Sequence, residues 1–193
     1  MEVSITDTLD EKNFRELGKY AVWTLSTAKP GNGIEQLRDG SCDTYWQSDG
    51  ASPHLVNIQF IKKVSVSKVC FYLDHGADES YTPKKVEIKC GSTLHDLAAL
   101  TAIELHEPVG WVSVSLTDDA DLQQTKFTSS ASQPGPLRTH FLQIRITSMH
   151  QNGRDAHVRQ IKILGPRSSM KVVGEYRLDQ FTSTEMLQYA TIR

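Results

Sequence analysis

Apolar side chains recur at every second position in several separate stretches of this chain, and that period fits strands with one buried face. Lys84 to Cys90 is the clearest: Val86, Ile88 and Cys90 face one way, and Lys85, Glu87 and Lys89 the other. His54 to Phe60 sets Val56, Ile58 and Phe60 against Leu55, Asn57 and Gln59, with Pro53 fixing its start. Val64 to Leu73 reads as one strand with Val69, Phe71 and Leu73 inward. Trp111 to Leu116 places Val112, Val114 and Leu116 on one side. Phe141 to Thr147 does the same with Leu142, Ile144 and Ile146. In Val158 to Leu164, Ile161 and Ile163 point in, and Gln160 and Lys162 are expected to point out. Leu94 to Leu105 fits either period. Many strands, few helical stretches and no alternation of strand with helix predict an all-β sandwich or jelly roll sharing one core.

The remaining chain falls around that block. Residues 1–20 read as an arm, either a short helix opened by Thr8 and Glu11 with Phe14 and Leu17 on one face, or an extended segment. The strand-rich domain occupies 21–165, entered by Val22 and Trp23, with one helical turn at Ile34 to Arg38 packing Ile34 and Leu37 inward. Between Thr117 and Thr139 the chain is rich in Ser, Gln, Asp and Pro, which predicts a long mobile surface loop. Residues 166–193 read as a flexible tail ending Thr191-Ile192-Arg193.

Composition narrows the function classes. A formal net charge of −2 gives no global basic field for nucleic acid. No apolar run is long enough to span a bilayer, and the acidic start does not read as a signal peptide. The three cysteines, Cys42, Cys70 and Cys90, lack metal-site spacing and are expected as free thiols of an intracellular protein. Cys70 and Cys90 fall in strands and are expected in the core. No nucleophile elbow, phosphate loop or Cys-centred transfer motif is present, so no catalysis is expected. His150, Asp155 and His157 do not have the spacing of a ligand set, so neither a metal nor a cofactor is expected.

Gln36 to Phe60 contains Arg38-Asp39-Gly40, then Thr44-Tyr45-Trp46, then the His54 strand. Turn formers around a large apolar pair predict a loop folded over its own small core. This order resembles the opening of the discoidin, or galactose-binding-like, jelly-roll modules. Together with DESYTP at Asp78 to Pro83 and HQNGRDAHVR at His150 to Arg159, it resembles the DOC domain of the anaphase-promoting complex, a multi-subunit ubiquitin ligase. The resemblance implies a jelly-roll subunit of nucleus and cytoplasm that captures destruction-box degron peptides jointly with a β-propeller co-activator. It implies a processivity role, and it implies that Ile192 and Arg193 bind a tetratricopeptide-repeat subunit while another face docks on a scaffold subunit. A carbohydrate- or lipid-binding discoidin-like module is the alternative.

Two loops are the candidate peptide site. His150, Gln151, Asn152, Arg154, Asp155, His157 and Arg159 offer mixed donors and acceptors around Asn152-Gly153, a pair that favours a tight turn with positive φ. Ser80 and Tyr81 are expected beside them if the loops converge, with Asp78 and Glu79 free to pair with a basic peptide side chain. By alternation Arg159 shares the face of Ile161 and Ile163, so its guanidinium needs a partner: Asp155, a main-chain carbonyl or a ligand. Asp39 and Asp43 are expected to shape their loop rather than to bind calcium.

Overall fold

The computed structural model describes residues 3–6, 9, 13–116 and 135–167. Two five-stranded antiparallel sheets face each other. One runs β1 (Val3–Thr6), β9 (Val109–Ser115), β6 (Lys68–Asp74), β12 (Gln160–Pro166) and β2 (Phe14–Glu16). The other runs β3 (Ala21–Leu25), β5 (His54–Val66), β10 (Leu137–Met149), β7 (Pro83–Gly91) and β8 (Ala98–Glu104). A two-stranded ribbon of β4 (Trp46–Gln47) and β11 (His157–Val158) closes one end. Helices are confined to short pieces, α1 (Ile34–Arg38) and α2 (His75–Asp78), and single 3-10 turns.

Register follows the apolar period. Ile144 lies opposite Val56 on one side and Ile88 on the other, and Ile146 opposite Val86. In the facing sheet Phe71 lies between Ile161 and Val112, and Val69 between Ile163 and Val114. These side chains meet in one buried core that takes in every inward residue expected of the strands above except Cys90, which is half-buried against it.

Several boundaries differ from the sequence expectation, each for a physical reason. Val64 to Leu73 is not one strand. The chain crosses between the sheets at Ser67, whose N–H donates to the Leu164 carbonyl and whose carbonyl accepts from Leu116 N–H, both at 2.8 Å. Phe14, placed in a helix or an extended arm, is in β2 and pairs with Pro166; β1 pairs with β9, so both pieces extend the first sheet. The expected surface loop ends early, because β10 begins at Leu137, a buried core residue. The expected tail starts later than residue 166, because Pro166 ends β12 opposite Phe14 and Arg167 N–H donates to the Asn13 carbonyl at 3.1 Å. Residues 117–134, the tail from 168 with Ile192 and Arg193, and the Thr8–Glu11 capping pair lie outside the described residues. Leu94 is exposed ahead of β8, and Val22 and Ile34 are exposed while Trp23 and Leu37 are buried. Cys70 is buried on the outer face of its sheet with Trp111 and Leu164, its thiol 3.3 Å from the Ser113 hydroxyl.

Replacing Ile144 by Ala removes a fully buried side chain between two strand neighbours. It is expected to lower the free energy of urea unfolding by about 2–5 kcal/mol. A midpoint unchanged from wild type would remove Ile144 from the core.

Candidate functional site

Asp78 is the buried carboxylate at the ribbon end of the sandwich. Asp74 caps the single turn of α2 by accepting from Ala77 N–H at 3.1 Å, and the turn delivers Asp78 inward. Its Oδ2 accepts from Arg159 Nε at 2.9 Å and its Oδ1 from Arg159 Nη2 at 3.0 Å, a two-toothed pair. The same Oδ1 accepts from Nδ1 of His157 at 3.2 Å, which sets the proton of that ring on Nδ1. The third arm of the guanidinium, Nη1, donates to the Cys42 carbonyl at 2.7 Å. Burial alone would raise the Asp78 pKa, but the hydrogen bonds and charge of His157 and Arg159 outweigh it and hold the carboxyl below the usual aspartate range. Arg159 moves the other way: its bonds to Asp78 raise its pKa against the effect of burial.

A stack of rings stands on this pair. His157 lies between Tyr45 and Tyr81, with ring centroids 4.2 Å and 4.3 Å away and planes inclined by 20° and 8°. The three sequence motifs therefore touch: Tyr45 comes from the first, Asp78 and Tyr81 from the second, His157 and Arg159 from the third.

The first loop is built to present Tyr45. Asp39 Oδ2 accepts from the Thr44 hydroxyl at 2.6 Å, and its Oδ1 accepts from Ser41 N–H at 2.7 Å. Gly40 holds φ +84°, a conformation that disfavours a side chain. Trp46 is fully buried and donates its indole N–H to the Thr27 carbonyl at 2.9 Å. Gln160, expected to point outward, is buried instead. Its amide donates to the carbonyls of Gln36 and Ser41 and to Asp39, and accepts from Gly40 N–H. The unpaired carbonyls of this loop need donors, and Gln160 supplies them from the facing strand. Ser48 then clasps the third motif: its N–H donates to the Ala156 carbonyl, and its hydroxyl accepts from Ala156 N–H.

The His150 turn packs against the Ser80 turn. His150 is buried with both ring nitrogens used: Nε2 accepts from Glu107 N–H at 3.2 Å, and Nδ1 donates to the Thr82 carbonyl at 3.1 Å. Gly153 is not the positive-φ residue of this turn. Gln151 and Asn152 take φ +50° and +57°. Gly153 is required because a Cβ there would run into the Ser80 carbonyl oxygen. Asp155 pairs with Lys29 at 3.0 Å, not with Arg159, which sequence reasoning offered as a partner. Asp78 is likewise spoken for and not free to meet a peptide. His54 donates from Nε2 to the Arg154 carbonyl at 2.9 Å and so anchors the loop's far side.

Ser80 and Tyr81 therefore lie beside the His150 loop. Tyr81, Gln151, Asn152 and Arg154 are exposed; Ser80, Asp155 and Arg159 are half-buried, and His150 and His157 buried. Beside the loop is a groove of about 490 Å³ lined by Ala51, Ser52, Thr147, Ser148, Met149, Asn152, Gly153 and Arg154. Two further signals, which sequence could not carry, mark this end. Among the described residues every positive-φ non-glycine lies here: Glu79, Glu107, Gln151 and Asn152. So does every buried side-chain polar atom without a hydrogen-bond partner: His54 Nδ1, His75 Nδ1, Thr82 Oγ1, Ser148 Oγ and His157 Nε2. Tyr45 was missed as a site residue; its place beside Trp46 in a turn-rich loop was the only signal for it. Lys29 and Gln160 gave none.

The architecture is that of the galactose-binding-like jelly rolls. It superposes on the CBM32-1 and CBM32-2 domains of Clostridium perfringens ZmpB in complex with GalNAc, with a TM-score of 0.66 and 14% identity over 86% of this chain and 39% of that one. The F5/8 type C domain of a Bacteroides fragilis protein aligns with a TM-score of 0.58 and 12% identity over 80% of this chain and 97% of that one. At such identities the likeness defines the fold alone. Within that class, residues 5–191 match the family model described as anaphase-promoting complex, subunit 10 (APC10). The chain is 44% identical over 179 residues to anaphase-promoting complex subunit 10 of Homo sapiens, covering 93% of this chain and 88% of that protein. It is 29% identical over 160 residues to subunit DOC1 of Saccharomyces cerevisiae, covering 83% and 60%. The chain belongs to the anaphase-promoting complex subunit 10 family, and its jelly roll is a DOC domain.

Asp78→Asn keeps the shape of the side chain and removes the charge that neutralises Arg159. Breaking a buried pair in this way is expected to cost about 3–5 kcal/mol. Because the folded-state pKa of Asp78 is depressed, its contribution is complete above the ordinary aspartate range and is lost as pH falls through the folded value. Urea unfolding measured from neutral to acid pH should show a shallower acid limb for the variant. Identical slopes would mean that Asp78 does not titrate with a lowered pKa.

Proposed function

We propose that this chain is a non-catalytic substrate-recognition and processivity subunit of the anaphase-promoting complex, acting in nucleus and cytoplasm. Its ligand is the destruction-box degron of a cell-cycle protein, held jointly with a β-propeller co-activator. The observation that supports this most is the division of labour among the loop residues. Asp78, His150 and His157 are buried and Arg159 is half-buried, and all four are bonded to one another or to main chain, so they hold the loops in place. Gln151, Asn152, Arg154 and Tyr81 project from that frame, with Ser80 half-exposed beside them, and Asn152 and Arg154 line the groove of about 490 Å³. An extended peptide has unpaired main-chain groups, and exposed amides and a guanidinium on a fixed loop supply their partners without a large ordering cost. A shallow polar groove binds weakly alone. Shared with a second surface, the same contacts raise effective concentration and residence time, so more ubiquitin is added per encounter.

The exposed residues give a clean test, and the buried ones do not. Removing His157 would also break the ring stack, and removing Asp155 would strip Lys29 of its partner. Asn152→Ala with Arg154→Ala is expected to change stability by no more than about 0.5 kcal/mol. The double variant should assemble into the ligase yet shorten the ubiquitin chains formed per binding event on destruction-box substrates. Chains of wild-type length would place degron capture elsewhere. Binding to a glycan array, without crosslinking to a degron peptide, would favour the sugar-binding reading instead.

The terminal dipeptide is proposed to bind a tetratricopeptide-repeat subunit. Ile192 suits an apolar slot, Arg193 an acidic wall, and the α-carboxylate a cluster of donors. A synthetic peptide ending at Arg193 should bind the isolated repeat subunit, and its amidated form should bind at least about tenfold more weakly. Equal binding by both would remove the terminal carboxylate from the interaction.

A further inference from the structure

Far from the loops, β5 carries a feature that neither the fold nor the peptide site requires. Thr139 of β10 pairs with Val64, and Phe141 pairs with Gln59, so the stretch 60–63 of β5 stands opposite His140 alone. The extra residues form a bulge. Phe60 turns into the core, and Ile61, Lys62 and Lys63 are pushed out. Ile61 is 80% exposed, the most exposed large apolar side chain among the described residues. On the neighbouring strand Ala21 pairs with Phe60 and Val22 with Gln59, which puts Tyr20 and Val22 beside the bulge. They are 51% and 58% exposed. Lys19 lies over the Tyr20 ring, 5.0 Å from its centroid.

We infer that this bulge is a docking surface for an acidic, apolar-notched face of another protein subunit. Charge points to that partner. Lys19, Lys62 and Lys63 form no ion pair among the described residues, on a chain whose formal net charge is −2. Basic side chains therefore surround an apolar centre, the pattern of a rim around an anchor. Edge protection does not account for it. Beyond Ala21 the edge of β5 is no longer covered by β3, and lysines alone would guard it; an isoleucine there adds the apolar exposure that edge protection avoids. A bilayer is less well matched than a protein, because one projecting isoleucine is a small apolar anchor. Geometry suits a docked subunit as well. His54, which anchors Arg154, and Ile61 sit toward opposite ends of β5, roughly 23 Å apart at about 3.3 Å per residue. A partner on the bulge leaves the peptide loops open.

This surface rests on the reading that the chain works inside the ligase, and the test separates the two. The ligase is assembled from its other subunits without this chain, and the full-length chain is titrated in. Ile61→Ser, and separately Lys62→Glu with Lys63→Glu, should each weaken incorporation about tenfold. The wild-type affinity should fall with added salt, and the Ile61→Ser chain should keep that salt slope. All three substitutions fall on exposed side chains, so circular dichroism and the melting temperature of both variants should match wild type. Wild-type incorporation by both variants would overturn the proposal. So would binding of the wild-type chain to phosphatidylserine vesicles that is lost in both variants while incorporation is unchanged. Degron crosslinking to the Asn152 loop, measured on the same isolated chains, should be the same in all three. Its failure in all three would count against the peptide reading, while the incorporation result would still decide the bulge.

Discussion

One buried carboxylate holds the working end of this molecule together. Asp78 brings no apolar surface to the core, and taking its charge out of water is costly. It is tolerated because three donors meet it, two from Arg159 and one from His157, and because the remaining guanidinium arm is satisfied by the Cys42 carbonyl. An apolar cluster of the same volume would serve stability equally well, or better. It would not specify where three separate stretches of chain sit relative to one another. Directional bonds do: each has a length and an angle, and Tyr45, His157 and Tyr81 stack only when all three stretches are in register.

The two-sheet frame was legible because strand periodicity is a direct image of burial. Where one face is in the core and the other in water, alternation appears in the letters, and Val86, Ile88, Ile144 and Ile163 are where it placed them. The failures come where that link breaks. Ser67 is a crossing between sheets, and Val66 and Val69 are both buried on either side of it, so the pattern runs through the corner without a mark. Gln160 sits on the outward parity of β12 but lies under the first loop, and parity cannot know what a distant loop covers. The bulge on β5 breaks alternation at Ile61, which as a letter looks like one more core residue.

The convergence of the candidate site's loops was legible, and the division of labour within them was not. Turn formers, mixed donors and an inward Arg159 pointed to the His150 loop, and the Asp78 loop was placed beside it on convergence alone. Which polar residues are exposed depends on pairings across the fold. Arg159 took Asp78, a residue far away in sequence, in preference to Asp155 nearby, because the strand points its guanidinium across the end of the sandwich and Asp155 turns to Lys29. His150 reads like any loop histidine, yet both nitrogens are bonded to main chain. Buried histidines and exposed amides carry the same kinds of letters and opposite roles.

The positive-φ residues and the unpartnered polar atoms suggest why stability alone does not explain this end. A sandwich selected only to fold would close its loops with glycine where φ is positive and would pair His54 Nδ1, Thr82 Oγ1 and Ser148 Oγ. Here Gln151 and Asn152 occupy left-handed conformations that hold their side chains out from a rigid turn, and Gly153 is spent on letting Ser80 approach. Such a turn is held in shape from below, by Thr82, Glu107 and His54, while its upper side chains carry no structural duty. That is the arrangement the proposed peptide reading calls for, a surface able to meet an extended chain without rearranging. Its ordering cost is met during folding, by the sandwich, and a peptide bound as proposed would not incur it again at each encounter.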